Sequence, residues 1–93
     1  MEGLDVLTKK RLCKQIRQNT GHSYHLIESV VQQAIDLMGI QLAEGGKIEI
    51  ENFLVLEVTA ISRALPHSDE NTVHHILKVR PGRALRERLR HLE

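Results

Sequence analysis

The sequence predicts an α+β fold: two N-terminal helices, a three-stranded antiparallel sheet with a short β-ribbon arm, and a C-terminal helix, with two copies intertwined as a dimer. Three observations carry that expectation. Apolar residues recur at helical spacing from Ile27 to Leu42, the period drops to two after Gly45-Gly46, and Pro81-Gly82 sets off a short basic tail. At 93 residues the chain reads as one domain, with residues 1–46 helical, 47–80 sheet and arm, and 81–93 the last helix. So small a domain buries little surface by itself, and a shared core is the natural remedy.

Thr8 is suited to cap a first helix over Thr8–Asn19, whose inner stripe is Leu12, Cys13 and Ile16. Thr20-Gly21-His22 breaks it, and Ser23 caps a second helix. There Ile27, Val30, Val31, Ala34, Ile35, Met38 and Leu42 hold one stripe for over four turns. Leu26 and Leu37 widen the apolar surface beyond what one neighbouring helix covers, which points to a second subunit. Glu44-Gly45-Gly46 then turns the chain.

Ile48 and Ile50 alternate with Lys47, Glu49 and Glu51, as in a half-buried strand, and Asn52 marks a turn. Phe53–Val58 reads as a second strand. Beyond it, Thr59–Leu65 and Thr72–Val79 form two extended arms about a turn at Pro66. A final helix is expected over Arg83–His91, placing Arg83, Arg86 and Arg90 on one face. Gly82 just before it would leave nearby amides open to a phosphate.

The net charge of +1 is almost neutral, but its distribution is not. Lys9, Lys10, Arg11, Lys14 and Arg17 gather near the start and Arg80, Arg83, Arg86, Arg88 and Arg90 near the end. Each cluster reads either as an ordinary solvated helix face or as a phosphate-binding surface. The lone Cys13 excludes an internal disulfide and fits a small buried hydrophobe. No stretch resembles a signal peptide or a membrane span, so a cytoplasmic protein is expected. Hydrophobic residues make up 41% of the chain but aromatics only 2%, which speaks for an aliphatic core and against stacking on single-stranded bases.

An enzyme is not expected: phosphate-cradling loops, nucleophile elbows and paired carboxylates are all missing. Nor is a cofactor or metal. Of six histidines, His22 and His25 fit one helical face, but His74 and His75 are strand neighbours pointing to opposite sides. Protonation of His67, His74 and His75 on the arm would add positive charge at mild acidity.

Several motifs, in order, resemble the HU and integration host factor family of bacterial architectural DNA-binding proteins. They are Leu7-Thr8-Lys9, Ser23 opening a long aliphatic helix, the Glu44-Gly45 turn, Phe53 in the sheet, and Arg80-Pro81-Gly82-Arg83-Ala84-Leu85-Arg86 leading into the last helix. The resemblance implies a dimer joined through its long helices and sheet, with a saddle from which two ribbon arms enter the minor groove of double-stranded DNA and bend it. By position, Lys9, Arg80, Arg83 and Arg86 match the family's basic or phosphate-facing residues; Arg63, Lys78 and Arg90 are further candidate DNA contacts, and Pro66 reads either as the intercalating wedge or as a plain turn residue. The resemblance assigns the dimer core to Ile27, Val31, Ile35, Met38, Phe53 and Leu56. The implied role is bending and compaction of the nucleoid with little sequence preference, by a homodimer or a heterodimer with a paralogue.

The arm departs from that pattern. It is shorter than the family's, lacks the Arg-Asn-Pro tip, and carries Asp69 and Glu70 where phosphate would approach. Asn52 and Leu54 stand where glycines normally flank the phenylalanine. A second reading therefore keeps the dimeric fold but gives the arm to a protein partner, with DNA contact weak or lost.

Overall fold

The computed structural model describes residues 6–64 and 71–92. Their order is α1 (Lys9–Thr20), α2 (Tyr24–Ala43), β1 (Lys47–Ile50), β2 (Leu54–Ala64), β3 (Asn71–Pro81) and α3 (Arg83–Leu89). The three strands form one antiparallel sheet in the order β1-β2-β3, so the architecture is α+β as expected. Two compact units, Met1–Leu37 and Met38–Glu93, divide the chain within α2.

Helix ends follow local chemistry. The Thr8 hydroxyl accepts from Arg11 N at 3.1 Å, and Gly21 closes α1 by donating to Arg17 O at 2.8 Å. Ser23 Oγ accepts from Leu26 N at 3.2 Å, capping α2. At the far end Gly46 N reaches Gln41 O (2.9 Å) while Gly45 N reaches Leu42 O (3.0 Å). This pair of crossed bonds needs a left-handed residue at its centre, and Gly45 supplies it with φ 80°. His22 precedes α2 rather than sharing a helical face with His25.

The β1–β2 turn corrects one boundary. Phe53 N donates to Ile50 O at 2.9 Å, so Phe53 completes the turn and β2 starts at Leu54. Asn52 adopts φ 62°, the left-handed conformation a glycine would otherwise provide. Asparagine tolerates it better than most residues do. The arm is no separate element: β2 and β3 each run 11 residues, paired from Leu54↔Pro81 to Ala64↔Asn71. Pro66, the expected wedge, lies outside the described residues.

The described residues of one chain form almost no interior. Among the described residues only Cys13 and Ile27 are buried hydrophobics, at 0% and 5% exposure. Cys13 is thus the small core residue its spacing suggested. Leu26, Val30, Ile35, Leu37 and Ile40 along α2 are all exposed, as are Phe53, Leu77 and Val79. Of the residues expected at a dimer core, Ile27 is already covered by its own chain. Val31, Met38 and Leu56 are half-buried, while Ile35 and Phe53 stay exposed at 42% and 48%.

Candidate nucleic-acid interface

Register sorts the sheet into two chemically different sides. Residues directly opposite in an antiparallel ladder project to the same face. Ile48 pairs with Leu56 and Ile50 with Leu54, while Leu56 pairs with Val79 and Val58 with Leu77. That side is aliphatic. Its Val58, His75 and Leu77 line an open groove together with Leu42 and Ala43 of α2.

The other side carries the charges. Lys47 pairs with Glu57, which pairs in turn with Lys78, giving a row across all three strands. The next row is Glu49, Val55 and Arg80. Farther along the ribbon come Thr59 opposite Ile76 and Ile61 opposite His74. Lys47 is held by Glu49 at 3.4 Å. Lys78 and Arg80 are exposed and have no ion pair or side-chain hydrogen bond among the described residues. Two unpaired cations thus sit two residues apart on one strand and one face, about 7 Å from each other. Arg63 occupies the ladder position opposite Thr72.

The chain passes directly from Arg80 into α3. Gly82 N donates to Phe53 O at 2.6 Å, and a Cβ at Gly82 would lie 2.7 Å from Phe53 N and 2.9 Å from the Asn52 carbonyl carbon. The glycine is therefore required by close backbone approach to the β1–β2 turn. Its own amide is engaged there. Arg83 and Arg86 project from α3 into solvent, and Leu85, on the opposite side of the helix, is half-buried.

Helix α3 ends at Leu89, short of the expected His91, so Arg90 falls in its cap. There the Arg90 guanidinium holds Glu87 at 3.0 Å. Lys9 is engaged too. Its ammonium lies 3.2 Å from Glu28 Oε2 and donates to Gln32 Oε1, tying α1 to α2. The structure therefore brings together Lys78, Arg80, Arg83 and Arg86 along one stretch of chain, and it gives Lys9 and Arg90 intrachain acidic partners. Glu57 stands between two lysines in its row, a placement that sequence patterning missed.

Among the described residues no group of three histidine, cysteine, aspartate or glutamate side chains is placed to hold a metal. His74 faces the charged side of the sheet and His75 the aliphatic side, as their adjacency implied. No described helix is long and apolar enough to cross a membrane.

Comparison with known proteins gives two findings. Residues 7–64 match the family model described as bacterial DNA-binding protein. Among solved structures, the Anabaena HU–DNA cocrystal is similar in fold, with a TM-score of 0.69 over 91% of this chain and 99% of that one, at 15% identity. No curated protein sequence matches significantly.

Proposed function

Because the chain belongs to the bacterial DNA-binding protein family, that of HU and integration host factor, we propose that it is a non-enzymatic architectural protein. It grips double-stranded DNA as a homodimer, bends and compacts it with little sequence preference, and works in the nucleoid. The observation that carries this reading is the pair of uncommitted cations Lys78 and Arg80 on the charged side of the sheet, followed in the chain by Arg83 and Arg86. A duplex is a dense line of negative charge, and every phosphate that a cation neutralises releases counterion. Arginine adds a planar fork that can bridge phosphate oxygens.

Dimerisation is supported by what a single chain leaves undone. A chain with two buried hydrophobic residues among those described, and exposed aliphatic side chains along α2, lacks the interior that stability requires. A second copy would cover that surface, with Val31, Ile35, Met38, Phe53 and Leu56 in the shared core. Bending would come from the ribbon arms, with Arg63 on the ladder and Pro66 at the tip.

The test is fluorescence anisotropy on random-sequence duplex over a salt series, with sedimentation to count subunits. Binding that weakens steeply with salt, by a species of two chains, is expected. A monomer, or the absence of any binding at low salt, refutes it. The ribbon's exposed Ile61, Val73 and Ile76 favour a second reading, in which the arm docks a protein partner. Failure to bind duplex would leave that one standing.

A further inference from the structure

We propose that His74 is a proton-gated phosphate contact, so that the ribbon holds duplex DNA more tightly at mild acidity than at alkaline pH. The inference rests on the reading of the chain as a duplex binder.

The register places His74 on the side of the sheet that carries Lys78 and Arg80. Alternate residues of a strand share a face, so His74, Ile76, Lys78 and Arg80 form one line along β3, about 20 Å long. His74 is exposed, as Lys78 and Arg80 are, and makes no ion pair or side-chain hydrogen bond among the described residues. A polyanion that meets the two cations meets the imidazole on the same line.

The surroundings of His74 leave its charge uncompensated. Ile61 stands opposite, Thr59 and Arg63 hold the diagonal ladder positions of β2, and Thr72 and Ile76 are its same-side neighbours on β3. Among the described residues the nearest carboxylate along this side is Glu57, two rows away beside Lys78, about 13 Å distant. That exceeds the screening length of about 10 Å. On β1, Lys47 and Glu49 pair with each other. Asp69 and Glu70 lie outside the described residues. The adjacent His75 makes the contrast: it projects to the aliphatic side, where it lines a groove together with Glu44. Of the two histidines, only His74 offers its charge where Lys78 and Arg80 stand.

Histidine as a class changes charge near about pH 6.5, and ordinary carboxylates near about pH 4. From about pH 8 to about pH 5.5 the histidine is therefore the group on this side whose charge changes. A neutral imidazole releases no counterion from a phosphate, whereas an imidazolium does. Affinity thus rises as pH falls through the histidine range, and binding near neutral pH takes up protons. A dimer gains two such contacts. At about 0.1 M salt they are worth up to about 60-fold when fully protonated, and about 30-fold between about pH 8 and about pH 5.5.

The experiment measures the affinity of the full-length protein for a labelled random-sequence duplex by fluorescence anisotropy, at about 0.1 M salt and both pH values. Wild type should bind about 30-fold more tightly at the lower pH, with a salt slope steeper by about 1.8. H74Q should shrink the pH response to less than about fivefold, and H74R should bind at the higher pH as wild type does at the lower. Circular dichroism and sedimentation check fold and subunit count under both conditions. Calorimetry at neutral pH, in two buffers of different ionisation enthalpy, gives a second readout: wild type should take up about one proton per dimer on binding, and H74Q fewer. Wild-type affinity that is equal at the two pH values, or lower at the acidic one, overturns the inference. So does a pH response that survives in H74Q, because other groups would then carry it, or an H74R variant no tighter than wild type at the higher pH. Protein that binds no duplex at either pH fails the functional reading itself, a result distinct from those three.

Discussion

Replacing Arg80 by glutamine tests the charged side of the sheet most directly. Arg80 is exposed, lies opposite Val55 and has no acidic partner among the described residues, so Arg80→Gln leaves no carboxylate stranded. Folding stability should stay within about 0.5 kcal/mol of wild type. Binding should not. A dimer presents four such cations twice, or about eight phosphate contacts, for which log affinity should fall with log salt at a slope near −7. The variant loses two of those contacts, and the slope should become less steep by about 1.8. Near 0.1 M salt each released counterion is worth about 1.2 kcal/mol, so affinity should drop by about 60-fold. Fluorescence anisotropy on a random duplex from about 50 to about 200 mM salt measures both quantities. A variant whose slope equals that of wild type refutes the reasoning, even if its affinity is lower, because lost affinity without lost counterion release means that Arg80 touches no phosphate.

Three further outcomes follow from the same geometry. Glu57→Gln should tighten duplex binding by about 3- to 10-fold at low salt, since it removes a carboxylate from the row between Lys47 and Lys78; weaker binding would put DNA elsewhere. Ile35→Asp places a charge on the exposed stripe of α2, and sedimentation should show loss of the dimer, with or without unfolding; an intact dimer would exclude Ile35 from the shared core. At Asn52, with φ 62°, glycine should be neutral or stabilising, whereas valine should cost about 1–2 kcal/mol in denaturant unfolding; equal stability of the two variants would contradict the turn geometry.

What the sequence made legible was local. The stripe of α2, its serine cap and its Gly45-Gly46 ending depend on spacing within a few residues, and all three match the structure. What was missed lay at a tight turn or where a distant partner decides. Phe53 looks like a strand residue by type, but its amide completes the turn to Ile50. By sequence Gly82 reads only as the start of the last helix, and its further constraint is the Asn52–Phe53 backbone, some 30 positions earlier in the chain. Lys9 is expected to contact DNA, and its partners within the chain, Glu28 and Gln32, reach it only once α1 and α2 pack together. The end of α3 carries no stop signal: Arg90 caps it in an ordinary right-handed conformation, which nothing in Arg90-His91-Leu92 announces.

The faces of the sheet lay between those two cases. Alternation along β1 was plain, but Phe53–Val58 is apolar at most positions and hides which set of residues faces which way. Only the pairing of Glu57 with both Lys47 and Lys78 shows that its side is the charged one. That sorting also explains how a chain of net charge +1 can serve a polyanion. Three of its acids are spent on specific contacts: Glu28 on Lys9, Glu49 on Lys47 and Glu87 on Arg90. Each pair is exposed or half-exposed and adds little stability, but each removes one cation and one carboxylate from the field that an approaching duplex meets. Among the described residues the cations that remain are Lys78, Arg80, Arg83, Arg86 and Arg88 in one unit and Lys10, Lys14 and Arg17 in the other. Net charge counts the paired and the unpaired alike, whereas a phosphate responds to the unpaired ones close at hand, because salt screens the rest within about 10 Å.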